Sequence, residues 1–191
     1  MVCESLSLTH ICASCQELFL APSLYKRKIA NNIEVFSFYK YTEIKEFLHT
    51  KHSDLGHPIF SIMAKNSFKK FAQNFVFDYP LISLSIDDTI GSGYSHTAIL
   101  NKALKSSFIT PLYNQIQAGS QVRYSGKSKA FRIANPRKFS IKEFEQEEVI
   151  LVDDIITTGI TLEQAVWALN AHNKKVAFCL TLADASQKEE S

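Results

Sequence analysis

The stretch that decides the fold runs Val149-Ile150-Leu151-Val152-Asp153-Asp154-Ile155-Ile156-Thr157-Thr158-Gly159-Ile160-Thr161. Four aliphatic residues in succession read as a strand buried on both faces, the habit of a parallel sheet. Two adjacent carboxylates follow, then a loop of hydroxyl residues with one glycine. Beyond it Leu162, Ala165, Val166 and Leu169 recur at helical spacing. A helix start presents unpaired N–H groups and partial positive charge, the chemistry of an anion site. Threonine hydroxyls add donors, and the carboxylates can accept hydrogen bonds from two vicinal sugar hydroxyls. Strand, acidic pair, turn and helix start together suit a sugar phosphate. The plainer alternative is a buried strand ending in a turn where Thr157 or Thr158 caps the helix. It accounts for one threonine and leaves the carboxylates without a role.

The segment resembles the phosphoribosyl pyrophosphate (PRPP) motif of type I phosphoribosyltransferases. The resemblance implies that Asp153 and Asp154 hold the ribose 2′- and 3′-hydroxyls. It implies that Thr157, Thr158, Gly159, Ile160 and Thr161 wrap the 5′-phosphate, with Mg²⁺ accompanying PRPP.

Outward from this stretch, strand and helix patterns alternate. Ile33 to Tyr41 reads as a strand with one polar face, Glu43 to His52 as a helix, and Ile59 to Phe75 as one further helix. Leu81 to Ile86 reads as a buried strand, His96 to Leu104 as a helix, and Lys175 to Leu182 as the closing strand. Alternation of this kind predicts an α/β fold, a mostly parallel sheet flanked by helices on both faces. Ligands in such sheets sit beyond the carboxyl ends of the strands, where the acidic pair falls. A basic cluster, Lys26-Arg27-Lys28, precedes the first of these strands.

The chain has 191 residues, 46% hydrophobic and 21% charged, with a formal net charge of +2. This is the composition of a globular protein with room for one full core and a small appendage. No apolar run approaches the roughly 18–20 residues of a membrane-spanning helix. The opening residues lack the basic and apolar regions of a secretory signal, so the expected compartment is the cytoplasm. There cysteines more often bind metal or fill a core than form disulfides.

Between Gly119 and Lys142 lie seven basic residues and no acidic one: Arg123, Lys127, Lys129, Arg132, Arg137, Lys138 and Lys142. Interspersed Gly and Ser favour a loop. Besides a merely solvated loop, the pattern suits an arm closing over an anion, with Arg123, Lys127, Lys129 and Arg132 reaching pyrophosphate or a nucleic-acid backbone. Tyr124, Phe131 and Phe139 interleave with the charges, as in surfaces that stack single-stranded bases.

At the amino end, Cys12-Ala13-Ser14-Cys15 has the spacing that places two thiolates on one tetrahedral zinc, and Cys3 is a third candidate ligand. The position three residues after Cys3 is Leu6, so a degraded or three-ligand site is the alternative. The fourth cysteine, Cys179, reads as a small core residue.

Three parts of the chain together resemble the ComF family of DNA-uptake proteins. The cysteine cluster is similar to that family's zinc finger. Tyr41 to Leu48 with Lys51-His52 is similar to its tyrosine, helix and lysine-aromatic run. In the carboxyl half, Gly93-Tyr94-Ser95-His96 stands where the family has Arg-Gly-Phe-Asn-Gln, followed by Gln121, Arg132-Ile133-Ala134-Asn135, Phe139 and the PRPP motif. Where the family carries a Pro-Val-Pro turn, this chain has Ser85-Ile86-Asp87-Asp88, whose carboxylates would repel pyrophosphate unless Mg²⁺ intervened; a solvated turn pair is the equal alternative.

The resemblance implies a zinc-finger-like module over 1–24, a phosphoribosyltransferase-like domain over 25–185 and a polar tail over 186–191. It implies a PRPP-binding protein of natural transformation, with single-stranded DNA and the DNA-import machinery at the inner membrane as partners. Two other functions stay open: a catalytic phosphoribosyltransferase of nucleotide salvage, in the glycosyltransferase class, and a PRPP-sensing regulator. No residue is singled out as catalytic.

Overall fold

The computed structural model describes residues 9–86, 93–119, 131 and 134–186. Six strands form the main sheet: β1 (Tyr25–Lys28), β2 (Glu34–Lys40), β3 (Leu81–Ser85), β4 (Ile109–Leu112), β7 (Glu148–Ile156) and β8 (Lys175–Asp184). Their order across the sheet is β1-β2-β8-β7-β3-β4. All neighbours run parallel except β1, which pairs antiparallel with β2 at the edge. Two short strands, β5 (Ile116–Ala118) and β6 (Phe139–Ile141), form a separate antiparallel pair. The expected mostly parallel sheet flanked by helices is the observed one.

Helices cover both faces, as the doubly buried strands require. On one lie α1 (Ala13–Phe19), α2 (Tyr41–His49), α3 (Gly56–Asn66), α4 (Phe68–Asn74) and α5 (His96–Ala103). Phe60, Met63, Phe68 and Leu100 join Ile150, Val152 and Leu180 of the sheet in one core. On the other lies α6 (Ile160–Asn170), whose Leu162, Ala165, Val166 and Leu169 meet Val149, Leu151 and Cys179 in a second core. Alternate residues of β7 thus feed opposite cores, the period-two geometry of a strand.

Several boundaries differ from expectation for local reasons. The helix read as continuous from Ile59 to Phe75 is two helices, parted at Ser67 with φ −111° and ψ −81°. Ser67 Oγ donates to the Met63 carbonyl at 2.7 Å and Asn66 Nδ2 to the Ile62 carbonyl at 3.0 Å. Such side-chain bonds to the preceding turn favour a break. The strand at 34–40 has no wholly polar face, because it lies inside the sheet between β1 and β8. The Lys26-Arg27-Lys28 cluster is itself most of β1, an edge position where charged residues discourage further pairing.

Cys12 and Cys15 pack toward the first core. Cys15 is buried in it with Ile11 and Leu20, and Cys12, the residue before α1, packs against it. Asn66 Nδ2 donates to Gln16 Oε1 at 3.0 Å and Tyr39 Oη to the Leu20 carbonyl at 2.9 Å. Among the described residues no group of three or more His, Cys, Asp or Glu is placed to hold a metal. The zinc expectation therefore finds no support there, because the Cys12/Cys15 pair sits at a helix start packed on apolar side chains. Cys3 lies outside the described residues. No helix among them is long and apolar enough to cross a membrane.

Candidate functional site

Asp153 and Asp154 do not follow the strand; they are part of β7, which continues to Ile156. Adjacent strand residues point to opposite faces, so the two carboxylates flank the sheet rather than sit side by side. Asp154 shares the face of Ile150 and Val152, and Asp153 that of Val149 and Leu151.

Asp154 is held. Lys51 Nζ approaches its Oδ2 at 3.3 Å and His96 Nε2 approaches the same oxygen at 3.2 Å, with the Asp154 side chain 12% exposed. Burial raises the pKa of this carboxyl, but the hydrogen bond from His96 and the charge of Lys51 outweigh it and leave the value well below the usual carboxylate range. Lys51 comes from the 3₁₀ turn after α2 (Thr50–His52), and His96 opens α5 behind its N-cap Ser95, whose Oγ accepts from the Ala98 amide at 3.1 Å. Tyr94 Oη donates to the Lys51 carbonyl at 2.9 Å, fixing that turn. Gly56 makes this approach practicable: a Cβ there would lie 1.9 Å from Tyr94 Oη and 2.6 Å from the Thr50 carbonyl oxygen. Asp153 is half-buried, and its Oδ1 accepts the Asp154 amide N–H at 2.8 Å.

The loop after the strand turns through Gly159, whose φ of +87° is left-handed and suits glycine. Gly159 is the N-cap residue of α6, with no side-chain capping bond. The reading in which Thr157 or Thr158 serves as an ordinary cap is thus replaced: the cap has no side chain, and Thr158 Oγ1 accepts from the Ile160 amide only at 3.5 Å. Half-buried Thr157 and Thr161 and exposed Thr158 flank Gly159 and the first helical residue in sequence, where the first-turn N–H groups begin. From outside, Arg27 Nη2 donates to the Thr157 carbonyl at 2.8 Å.

The basic arm joins β5 to β6. Ala118 pairs with Phe139, the Gly119 amide donates to the Lys138 carbonyl, and the Arg137 amide donates to Gln164 Oε1 on α6 at 3.1 Å. The arm's base is thus tied to the helix that starts at the loop. Arg123, Lys127, Lys129 and Arg132 lie outside the described residues, as do Gln121, Asp87 and Asp88.

Sequence reasoning missed Lys51, His96 and Arg27 as neighbours of the motif. Lys51 and Asp154 are 103 residues apart, and no spacing rule links them. The one signal was that Lys51 and the Gly93–His96 run both stood out in the family resemblance.

The family model of the phosphoribosyl transferase domain matches residues 109–191, from β4 through β7, the loop, α6 and β8. The match covers less than half of the chain and contains the whole 149–161 motif. Among solved structures, a hypoxanthine phosphoribosyltransferase from Staphylococcus aureus is similar over 69% of this chain and 68% of its own, at 16% identity and a TM-score of 0.41. One from Trypanosoma cruzi, in a ternary complex with substrates, covers 77% and 72% at 17% identity and 0.40. An adenine phosphoribosyltransferase covers 90% and 89% at 14% identity and 0.43. No curated protein matches the chain.

Proposed function

We propose that the protein binds PRPP, or a related ribose 5-phosphate, at the carboxyl end of β7. The observation that supports this most is the combination of an acidic strand end with a helix start capped only by left-handed Gly159, inside the segment that matches the phosphoribosyl transferase domain. In this reading the 5′-phosphate lies among Thr157, Thr158, Gly159, Ile160 and Thr161, receiving backbone and hydroxyl donors. Asp153, on the face of β7 that α6 covers, accepts from the ribose hydroxyls. Asp154 lies on the other face of β7, where its Oδ2 carries Lys51 and His96, so the ribose is held from the Asp153 side.

A magnesium ion suits this donor set only as a companion of the ligand. Mg²⁺ takes one or two carboxylates together with phosphate oxygens and water, and Asp153 is the half-buried carboxylate on the α6 side of the strand. When bound, the ion neutralises pyrophosphate charge.

The basic arm supplies a second reading, about the partner. Its described base, the β5–β6 pair, is tied to α6 by the Arg137 amide on Gln164, and Arg123, Lys127, Lys129 and Arg132 fall between those strands in the sequence. Together with the resemblance to ComF proteins, this favours single-stranded DNA as a further ligand and a role in DNA uptake. Salvage catalysis and PRPP sensing are the competing uses of the same site.

Calorimetric titration with PRPP and Mg²⁺ tests the site. Wild type is expected to bind, and Asp153→Asn with Asp154→Asn to lose most of the affinity; absence of wild-type binding at millimolar PRPP would refute it. Pyrophosphate release with a panel of nucleobases identifies a salvage enzyme. Binding to single-stranded DNA that weakens with salt, and with neutralisation of Lys127, Lys129 and Arg132, identifies the uptake role.

A further inference from the structure

The basic cluster in β1 has no part in the reading above, yet one of its members reaches the phosphate loop. Arg27 extends from the edge strand with its side chain 22% exposed. Its Nη2 donates to the Thr157 carbonyl at 2.8 Å, and its Nη1 lies 3.4 Å from Asp184 Oδ1 at the end of β8. Among the described residues its buried Nε has no hydrogen-bond partner. A planar guanidinium presents donors in a fixed fork, so two anchors on different elements set its orientation.

The rest of the β1–β2 turn closes on the same loop. Ile29 Cγ2 stands 2.9 Å from where a Cβ on Gly159 would lie, with Arg27 Nη2 at 3.7 Å from that point. The Ala30 amide donates to Glu163 Oε1, in the first turn of α6, at 3.2 Å. On the other flank the Ala185 amide donates to the Ile156 carbonyl at 2.8 Å. The outside of the loop is therefore packed against β1, the β1–β2 turn and Ala185.

We propose that Arg27 is a positioning residue for the phosphate loop: by holding the Thr157 carbonyl from outside, it fixes the turn through Gly159 in the shape that aims the Thr158–Thr161 amides at an anion. The inference rests on the ribose-phosphate reading of that loop. Arg27 does not touch the ligand; it acts through the peptide it binds. Its positive charge, set behind the loop, adds to the attraction for phosphate, and Asp184 offsets part of that charge. Lys26 and Lys28 are exposed and belong to the opposite face of the strand.

The test pairs ligand binding with loop dynamics in the full chain, comparing wild type, Arg27→Met and Lys28→Met. Ribose 5-phosphate affinity is expected to fall about tenfold in Arg27→Met, the scale of one hydrogen bond to a charged group. Lys28→Met, which removes the same charge one residue away, should stay within about twofold of wild type, as for a solvent-screened charge. Without ligand, amide hydrogen exchange across residues 157–161 should be faster in Arg27→Met and unchanged in Lys28→Met. Wild-type affinity and exchange in Arg27→Met would overturn the proposal, as would equal weakening by both variants. Should Arg27→Met fail to fold, Arg27→Lys takes its place, keeping the charge and losing the fork, with faster exchange expected again. If the wild type does not bind ribose 5-phosphate, the site assignment fails, while the exchange comparison still decides whether Arg27 holds the loop.

Discussion

Replacing Lys51 with Met should destabilise the protein most where Asp154 is charged. Lys51 Nζ and Asp154 Oδ2 are 3.3 Å apart, and the carboxylate is almost buried. At an effective dielectric constant of about 20 the gross attraction across that distance is about 5 kcal/mol. Desolvation of both groups cancels much of it, Lys51 is partly in water, and His96 still holds the same oxygen. A net loss of about 1–3 kcal/mol at pH 7 follows, or roughly 3–10 °C in melting temperature for a domain of this size. The sign with pH comes from linkage. Asp154 has a depressed pKa in the folded protein, so its contribution is complete above the ordinary carboxyl value near 4 and is lost as pH falls through the lower folded value. Urea unfolding of wild type and Lys51→Met from pH 7 to pH 3 measures this. The stability gap should hold steady down to about pH 4 and then narrow. A gap below about 0.5 kcal/mol at pH 7, the noise of a surface substitution, would refute the argument. So would a gap that stays constant through the acid range.

Gly159→Ala should cost about 1–3 kcal/mol, from the left-handed backbone and the contact with Ile29, and should weaken phosphate binding. Ile29→Ala in the same chain should recover only the contact part, as chemical denaturation would show. Gly56→Ala places a Cβ against both Tyr94 Oη and the Thr50 carbonyl. Adding Tyr94→Phe removes the first clash and leaves the backbone one, so partial recovery of melting temperature is expected and full recovery is not. Cys179 is fully buried, and burial raises its thiol pKa, so a thiol reagent should modify Cys12 in the native protein and Cys179 only in denaturant. Mass spectrometry of labelled peptides checks this.

The parts legible in the sequence were those whose signal is local. Val149–Val152 announced a doubly buried strand because both its faces meet helices, and Leu162, Ala165, Val166 and Leu169 announced the face of α6. The break at Ser67 was hidden because the apolar spacing runs straight through it, while the cause is a pair of side-chain bonds to carbonyls one turn back. The site was legible as a motif and not as an assembly. Nothing near Asp154 hinted that its charge is met by Lys51 and His96, since those contacts exist only once α2, α5 and β7 are packed. Arg27 read as one of three similar cations. Its difference lies in which side of β1 it occupies, and that follows from the pairing of β1 with β2 and the closeness of both to the Gly159 turn.

The central claim is that the Thr157–Thr161 loop cradles a phosphate while the acidic strand end takes the sugar. A crystal structure with ribose 5-phosphate bound tests it most directly. Phosphate oxygens are expected within hydrogen-bonding distance of the Thr158–Thr161 amides, with the ribose hydroxyls on Asp153. A phosphate seated elsewhere, or a sugar that leaves Asp153 untouched, would contradict it.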